Sequence, residues 1–396
     1  MISYLQFEII SAIIFALILA FLVYKKREHV TIQKILWPVF YLVMWKTKIG
    51  LRWMEKYGKK YQGVVRLFGY FSIGIGVLGL ISMFVMLIIS VILPFFRPEV
   101  GGGVTLVLPW TNVPGIGMLG FWHLIISLFI LVVVHEFSHG IVAVSHGLKI
   151  KNSGPALFGF FLPIIPAAYV EPDEKEMESK SDAVRYSIIS AGPVSNIVLG
   201  IIFLLIFSLV FVPIDNNMTD PIGVNLIAQE THPVLGDLSN GILLNKIDGE
   251  FLDTPSKFNS AILKKKPGDT VTLSSGEEDY IITLIESQTD PEFASSGIKG
   301  TLVQEKEYRD KTKGAIFLWF KNLFKWLFAL NLLVGTFNLL PLGPVDGGQM
   351  LLVFLQNTIS DKKKVIKWWG RISFITLFLI LLGLFYTLSR WVGGFF

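Results

Sequence analysis

The stretch LVVVHEFSHGIVAV, Leu131 to Val144, places two histidines and a glutamate inside an otherwise apolar run. His135, Glu136 and His139 form the pattern His-Glu-x-x-His. Residues four apart lie on one face of a helix, roughly 5–6 Å apart, so both imidazoles can bind one Zn²⁺. Glu136 can reach a zinc-bound water without ligating the metal, as a general base must. Since zinc lowers the pKa of such a water to about 7, the pattern predicts hydrolytic chemistry.

A catalytic zinc site needs a third protein ligand and one open position. The segment FNLLPLGPVDGGQM, Phe337–Met350, interrupts an apolar helix with prolines and glycines and then supplies Asp346. Broken backbone at membrane depth is tolerated only where it is buried in protein or lines a cavity, which favours Asp346 as the ligand. His146 is the competing ligand, but it follows His139 by seven residues and is better explained as an interfacial histidine.

The elements that must position these residues are membrane spans. The chain is 52% hydrophobic and 16% charged, and it has no cysteine, which excludes disulfides and thiolate ligands. A bilayer-spanning helix takes about 20 apolar residues. About six runs are long enough: Ile2–Val23, Leu67–Leu93, Leu119–Val144, Tyr186–Val212, a kinked run from Trp326 to Leu355, and Ile372–Leu388. We therefore expect a polytopic α-helical membrane protein, and we expect the first run to be a retained anchor.

Basic residues predict the orientation, because loops rich in Lys and Arg stay cytoplasmic. Lys25 through Arg66 carries eleven basic residues, and Asp361–Arg371 forms a second basic cluster. Phe95–Met118 carries one, Arg97. If the N-terminus is extracytoplasmic and all six runs cross, both basic segments are cytoplasmic and Phe95–Met118 is extracytoplasmic. The short apolar run Ile35–Trp45 is then expected to lie along the inner surface, and the net charge of +5 indicates membrane flanks and no nucleic acid partner.

A polar insert separates the fourth and fifth runs. Alternating stretches such as DYIITLIE predict strands, and Asp248-Gly249 predicts a type I′ hairpin turn. The segment from THPVLGDL to FNSAIL resembles part of a PDZ domain, a fold that binds peptides by strand addition. The orientation makes this small β-rich domain extracytoplasmic. The predicted division is 1–24 first helix, 25–66 basic segment, 67–212 core, 213–313 insert, 314–360 interfacial helix and kinked span, and 361–396 basic turn and last helix.

Three motifs together resemble the site-2 protease family of intramembrane zinc metalloproteases: HEFSH, then AGPVSN opening the next run, then NLLPLGPVDGG. The resemblance covers about residues 119 to 357 and includes a PDZ domain between the helices. It implies that His135, His139 and Asp346 bind zinc and that Glu136 activates water. Val345 stands where the family usually has Leu.

Two asparagines are candidates for substrate contact. The resemblance places Asn338 near the scissile peptide, where an amide can donate to a strained carbonyl or a developing oxyanion. Asn196, in AGPVSN, either contacts the substrate or packs helices together as polar glue, and the sequence leaves both open. Asn331 is assigned to packing.

An unwound substrate needs partners for its backbone N–H and C=O groups. The apolar stretch Ser153–Glu174 is too short and too rich in Pro and Gly to cross, so it predicts a re-entrant hairpin whose open edge pairs with the substrate. Phe160 and Phe161 are the residues assigned to substrate binding there. The alternative is a passive interfacial loop.

The resulting hypothesis is zinc-dependent cleavage of single-span membrane proteins, already shortened by another protease, in a plasma membrane. The oligomeric state stays open. The alternatives are a membrane zinc protease with a Glu third ligand, a metal transporter, and an inactive peptide-binding scaffold.

Overall fold

The chain divides into two compact units. One comprises Met1–Phe207 together with Lys321–Phe396, and the other is the insert, Ser208–Phe320. A computed structural model describes residues 3–25, 28, 30–36, 40–97, 102–113, 115–160, 162–228, 234–235, 240–287, 293–298, 300–343 and 345–393. The insert was expected at 213–313, so the unit found is a few residues longer at each end.

Helices dominate the first unit. In chain order the helices of both units are α1 Tyr4–Lys25, α2 Leu51–Lys60, α3 Gln62–Phe96, α4 Phe121–Ser145, α5 Glu174–Glu178, α6 Asp182–Ile206, α7 Val212–Met218, α8 Pro255–Leu263, α9 Lys311–Phe337, α10 Asp346–Thr358 and α11 Lys362–Gly393. Of these, α7 and α8 belong to the insert, and α9 begins in it. A π-helical turn, Phe207–Phe211, joins α6 to α7. Within the described ranges, six helices are long and apolar enough to cross a membrane: α1, α3, α4, α6 with its continuation to Met218, α9 and α11.

The fifth span differs from the prediction. The sequence predicts one kinked crossing from Trp326 to Leu355, whereas α9 begins at Lys311 and is a continuous apolar helix to Phe337. The proline- and glycine-rich segment then ends α9, and α10 is a separate helix starting at Asp346. The lysines early in α9 masked its length, since long basic side chains can extend from a span to the interface.

A four-stranded antiparallel sheet completes the first unit. Its strands are β1 Val30–Leu36, β2 Phe40–Trp45, β5 Ile150–Phe160 and β6 Leu162–Pro172, in the order β1-β2-β5-β6. The short strands β3 Asn112–Val113 and β4 Gly117–Met118 form a separate two-stranded sheet. Strands β5 and β6 pair with each other over the segment predicted as a hairpin at 153–174, and its re-entry into the membrane stays a prediction. Strand β2, the last part of the predicted interfacial run Ile35–Trp45, pairs with β5, a strand role that sequence reasoning missed because the run carries no clear alternation.

Small residues let α6 pack closely on α3 and on α4. Ser187, Ser190, Ala191, Gly192 and Ser195 of α6 are all buried. Small side chains allow two helix backbones to approach, which is the usual packing device in membrane proteins. The α4–α6 contact consequently brings the backbone and side chains of α6 directly against the His-Glu-x-x-His face.

A buried carboxylate fixes the start of α4. Glu8 of α1 is 2% exposed, and it accepts hydrogen bonds from Phe121 N and Trp110 Nε1, both at 3.1 Å. Tyr4 donates to it from one turn away at 2.9 Å. A negative charge at a helix N-terminus is favourable because unpaired N–H groups and the helix dipole point towards it. Glu8 thus ties the first helix to the helix that carries the histidines.

The insert is β-rich. Its strands are β7 Thr219–Ala228, β8 Asn240–Leu244, β9 Lys246–Ile247, β10 Glu250–Phe251, β11 Thr270–Ser275, β12 Glu278–Thr283, β13 Ile285–Glu286, β14 Ala294–Ser295 and β15 Gly300–Tyr308. They form sheets ordered β15-β7-β8 and β10-β9-β11-β12 and a β13-β14 pair, around one apolar core that includes Leu226, Leu273 and Ile282. Asp248 and Gly249 both have positive φ, 49° and 81°, as a type I′ turn requires.

Candidate metal centre

The two histidines of α4 face each other across one helical turn. Their Nε2 atoms are 3.1 Å apart, and the ring planes are nearly perpendicular, at 79°. His135 is buried, and His139 is half-buried. The i, i+4 spacing therefore produces the common face that the sequence predicts.

Asp346 reaches this face from the start of α10. Its Oδ2 lies 3.1 Å from His135 Nε2, and its Oδ1 lies 3.4 Å from His139 Nε2. The break between helices α9 and α10 brings Asp346 to this face. Gly347 N donates to Asn338 O at 2.7 Å, so the start of α10 folds back onto the end of α9. A Cβ at Gly347 would overlap Leu339 O, so only glycine allows this approach.

The three side chains fit a single cation. Imidazole nitrogens and carboxylate oxygens are preferred zinc donors, at about 2.0–2.2 Å. Ligands at that distance around a tetrahedral ion stand roughly 3.3 Å from one another. The two Nε2 atoms are 3.1 Å apart, and each lies 3.1 or 3.4 Å from a different oxygen of the Asp346 carboxylate, so the separations are close to this edge length. Among the described residues, His135, His139 and Asp346 form the group that could hold a metal ion.

Helix α6 contacts the Nδ1 atoms of both imidazoles. Ile188 O lies 2.7 Å from His139 Nδ1, and Asn196 Nδ2 lies 3.1 Å from His135 Nδ1. Gly192 stands midway between them: an added Cβ would overlap His139 Nε2 and lie 2.8 Å from His135 Nε2. Residues 188, 192 and 196 are four apart, so one face of α6 matches the spacing of the histidines.

Glu136 lies beside the group and is held by the hairpin. Its Oε2 accepts a hydrogen bond from Val170 N of β6 at 3.0 Å. The side chain is half-buried and lines a cavity of about 820 Å³ that also contains His135, His139 and Asp346. One carboxylate oxygen is therefore fixed by backbone, and the carboxylate opens onto the same space as the metal donors.

The cavity combines apolar and polar walls. Its apolar walls include Leu131, Ile188 and Val334. Its polar walls include Glu174, Glu178, Arg185, Gln349 and Gln356, and Arg185 donates to Gln356 at 2.7 Å. A space of this composition can hold both water and an apolar peptide segment.

The remaining predicted residues fall in different places. Asn338 is half-buried and lines the cavity. Asn196 is fully buried against His135 and is not among the residues that line the cavity. Phe161 lies outside the described residues, and of Phe160 only the backbone pairing in β5 is described.

Two residues singled out by the sequence lie apart from the donor group. His146 ends α4, and its Nε2 is 3.2 Å from Ser187 Oγ. Asn331 is fully buried, with its Nδ2 donating to Leu327 O at 2.7 Å. Sequence reasoning missed Ile188 and Val170, which act through backbone atoms, and Gly192, which acts through its lack of a side chain. The motif AGPVSN, which contains Gly192, was the signal available for that residue.

A His-Glu-x-x-His helix whose imidazoles meet a distant carboxylate, among membrane-length helices, is typical of membrane metalloproteases. The model of the family described as "Peptidase family M50" matches residues 123–380. The chain belongs to this family, that of the site-2 proteases, and is a multi-pass membrane metalloprotease.

Individual relatives are similar over different lengths. A protein of Methanocaldococcus jannaschii described as uncharacterized is 27% identical over 91% of this chain and 89% of its own length. A membrane-bound transcription factor site-2 protease homolog of Arabidopsis thaliana is 26% identical over 54% of this chain and 41% of its own length. A Clostridium acetobutylicum protein, provisionally named a zinc metalloprotease, is 24% identical over 62% of this chain and 90% of its own.

A solved PDZ domain is also similar. The PDZ domain of the SdrC-like protein from Listeria monocytogenes is 27% identical and covers 20% of this chain and 88% of its own, with a TM-score of 0.18.

We predict that Gly192→Ala weakens zinc binding by tenfold or more, because the new methyl group overlaps the donor atoms of both histidines. Zinc titration of the purified full chain against a chromophoric chelator measures this. Gly74→Ala in α3 is the matched control, since a Cβ there meets nothing within 4 Å. Equal zinc affinities for the two variants would contradict the packing argument.

Proposed function

We propose that the protein hydrolyses a peptide bond in or near the transmembrane segment of a membrane-anchored protein, with Zn²⁺ held by His135, His139 and Asp346. The observation that carries the proposal is the meeting of these three donors beside Glu136 in one cavity. These residues would hold a zinc ion that supplies Lewis acidity, which would lower the pKa of a water to about 7 and polarise a carbonyl.

Glu136 is the proposed general base. It takes a proton from the attacking water, whose oxygen bonds to the carbonyl carbon, and returns the proton to the amide nitrogen as the C–N bond breaks, so the products are a new carboxyl and a new amino terminus. The hydrogen bond from Val170 N to Oε2 supports this role, because it fixes the carboxylate without using Oε1. Asn338, on the cavity wall, is proposed to donate from its amide to the carbonyl of the scissile bond.

The free edge of β6 is proposed to bind the unwound substrate. Backbone groups alternate in direction along a strand, and Val170 directs its N–H away from β5, towards Glu136. Residues 166, 168 and 172 share that edge, and Pro166 and Pro172 have no N–H. Ala168 therefore supplies the remaining edge N–H at these positions, and it lines the cavity.

We propose the orientation predicted from the basic clusters: the N-terminus and insert are extracytoplasmic, and the basic loops are cytoplasmic, in a plasma membrane. Water is then proposed to reach the site from the cytoplasmic side, through the cavity whose walls include the polar side chains of Glu178 and Arg185.

The structure bears differently on the three alternatives. A Glu third ligand is disfavoured because the donor position is taken by Asp346. A transporter or an inactive scaffold needs no carboxylate held beside the donors, as Glu136 is. Replacing Glu136 separates the transporter and the scaffold from a protease, whereas full zinc retention by Asp346→Ala would favour the protease with a Glu third ligand.

We expect Glu136→Gln to lower cleavage of a reconstituted single-span substrate by roughly 10²–10⁴-fold, because the amide cannot accept the proton. Zinc content, measured on the same samples by atomic absorption, should stay at the wild-type value. Cleavage at the wild-type rate would refute the catalytic assignment, and zinc-dependent ion flux without cleavage would favour a transporter.

We expect Ala168→Pro to lower kcat/KM by roughly five- to hundredfold, as the loss of one donor to a buried peptide carbonyl does. The strand should tolerate the change, since Pro166 and Pro172 occupy the same edge. Ala168→Ser keeps the N–H and is the control. Unchanged cleavage by the proline variant, with zinc content intact, would exclude pairing through this edge.

The insert is proposed to act as a size filter that admits substrates with shortened ectodomains. Its first and last strands allow a clean excision, because Thr219 pairs with Tyr308 in the β7–β15 ladder.

Replacing residues 220–307 with a short Gly-Ser linker should therefore admit substrates with a folded ectodomain. Cleavage of two substrates that share one transmembrane segment, one with a short tail and one with a folded domain, measures the selectivity. An unchanged ratio would refute the filter, provided that the short substrate is still cleaved.

A further inference from the structure

The amide of Asn196 occupies an unusual position behind the metal donors. It is 0% exposed, and its Nδ2 lies 3.1 Å from His135 Nδ1. Its Oδ1 is buried and has no hydrogen-bond partner among the described residues. A buried carbonyl oxygen without a partner costs roughly 1–3 kcal/mol, so its presence needs an explanation.

Metal binding by His135 through Nε2 determines which hydrogen-bonding group it needs at its Nδ1 atom. An imidazole that ligates through Nε2 carries its proton on Nδ1, and this N–H needs an acceptor. The amide of Asn196 is the side chain at Nδ1. Its oxygen and nitrogen ends have nearly the same shape, so a half turn about χ2 exchanges them and keeps one hydrogen bond.

We propose that Asn196 is a positioning residue: its Oδ1 accepts the Nδ1–H of His135 and thereby fixes the ring with Nε2 directed at the metal. The inference rests on the proposed metal site and deepens it. Ile188 O does the same for His139 from the same face of α6, at 2.7 Å from its Nδ1. Each imidazole thus has one acceptor, four residues to either side of Gly192.

The geometry separates this role from the two that the sequence left open. Asn196 does not line the cavity, so it does not touch a substrate that occupies the cavity. Asn331 also has a buried Oδ1 without a partner among the described residues, but its Nδ2 donates to the backbone at Leu327 O, as expected of an amide that only packs a helix. The partner of Asn196 is instead the ring of a metal donor.

The test compares Asn196→Leu with Asn331→Leu in the full chain in nanodiscs. Both changes remove a fully buried amide of nearly the same volume, but only the first removes an acceptor from a donor ring. Zinc affinity is measured by competition with a chromophoric chelator, and thermal unfolding is measured in excess EDTA. Loss of such an outer partner typically weakens metal binding by 10–100-fold.

We expect Asn196→Leu to bind zinc 10–100-fold more weakly than Asn331→Leu, with similar unfolding temperatures in EDTA. Asn196→Asp, which retains an acceptor, should restore zinc affinity to within a few fold of wild type. The inference is overturned if the two leucine variants bind zinc equally well, or if the aspartate variant binds as weakly as Asn196→Leu.

The cobalt-substituted proteins provide a second readout. A reoriented His135 ring should change the visible d–d absorption of Asn196→Leu, whereas Asn331→Leu should keep the wild-type spectrum; identical spectra for all three would also overturn the inference. Wild-type protein that binds no zinc would instead refute the proposed function, so the two failures are distinguishable.

Discussion

The convergence of one carboxylate on two imidazoles is the interaction on which the rest of the structure depends. Ionisable groups among apolar helices are costly to bury unless they are paired. Asp346 meets this constraint by lying within 3.4 Å of both His135 and His139. The helix break before α10 and the close packing of α4 on α6 together bring these three side chains into contact.

Backbone groups make several of the contacts that hold the site residues in place. Ile188 O and Val170 N contact His139 and Glu136, and Gly192 leaves space where any side chain would strike the donors. Main-chain atoms on helices and strands are held more rigidly than long side chains, so these contacts fix the His139 ring and the Glu136 carboxylate in place. The same strand that fixes Glu136 also borders the cavity.

Local patterns predicted the residues with distinctive chemistry, and tertiary packing decided the others. His135, Glu136 and His139 follow from i, i+4 spacing, and Asp346 follows from a carboxylate at a broken helix. The strand pairing of β2 with β5 and the full length of α9 were not predicted, since neither has a clean local period. The position of Asn196 behind His135 depends on how α6 packs, which spacing along one helix does not specify.

Zinc K-edge absorption spectroscopy of the purified protein shows whether His135, His139 and Asp346 bind one zinc ion. We expect two imidazole nitrogens and carboxylate oxygen at about 2.0–2.2 Å from the metal. Asp346→Ala should lose the carboxylate contribution and most of the bound zinc. A wild-type spectrum without imidazole scattering, or an Asp346→Ala protein with unchanged zinc content and spectrum, would refute zinc binding by these three residues.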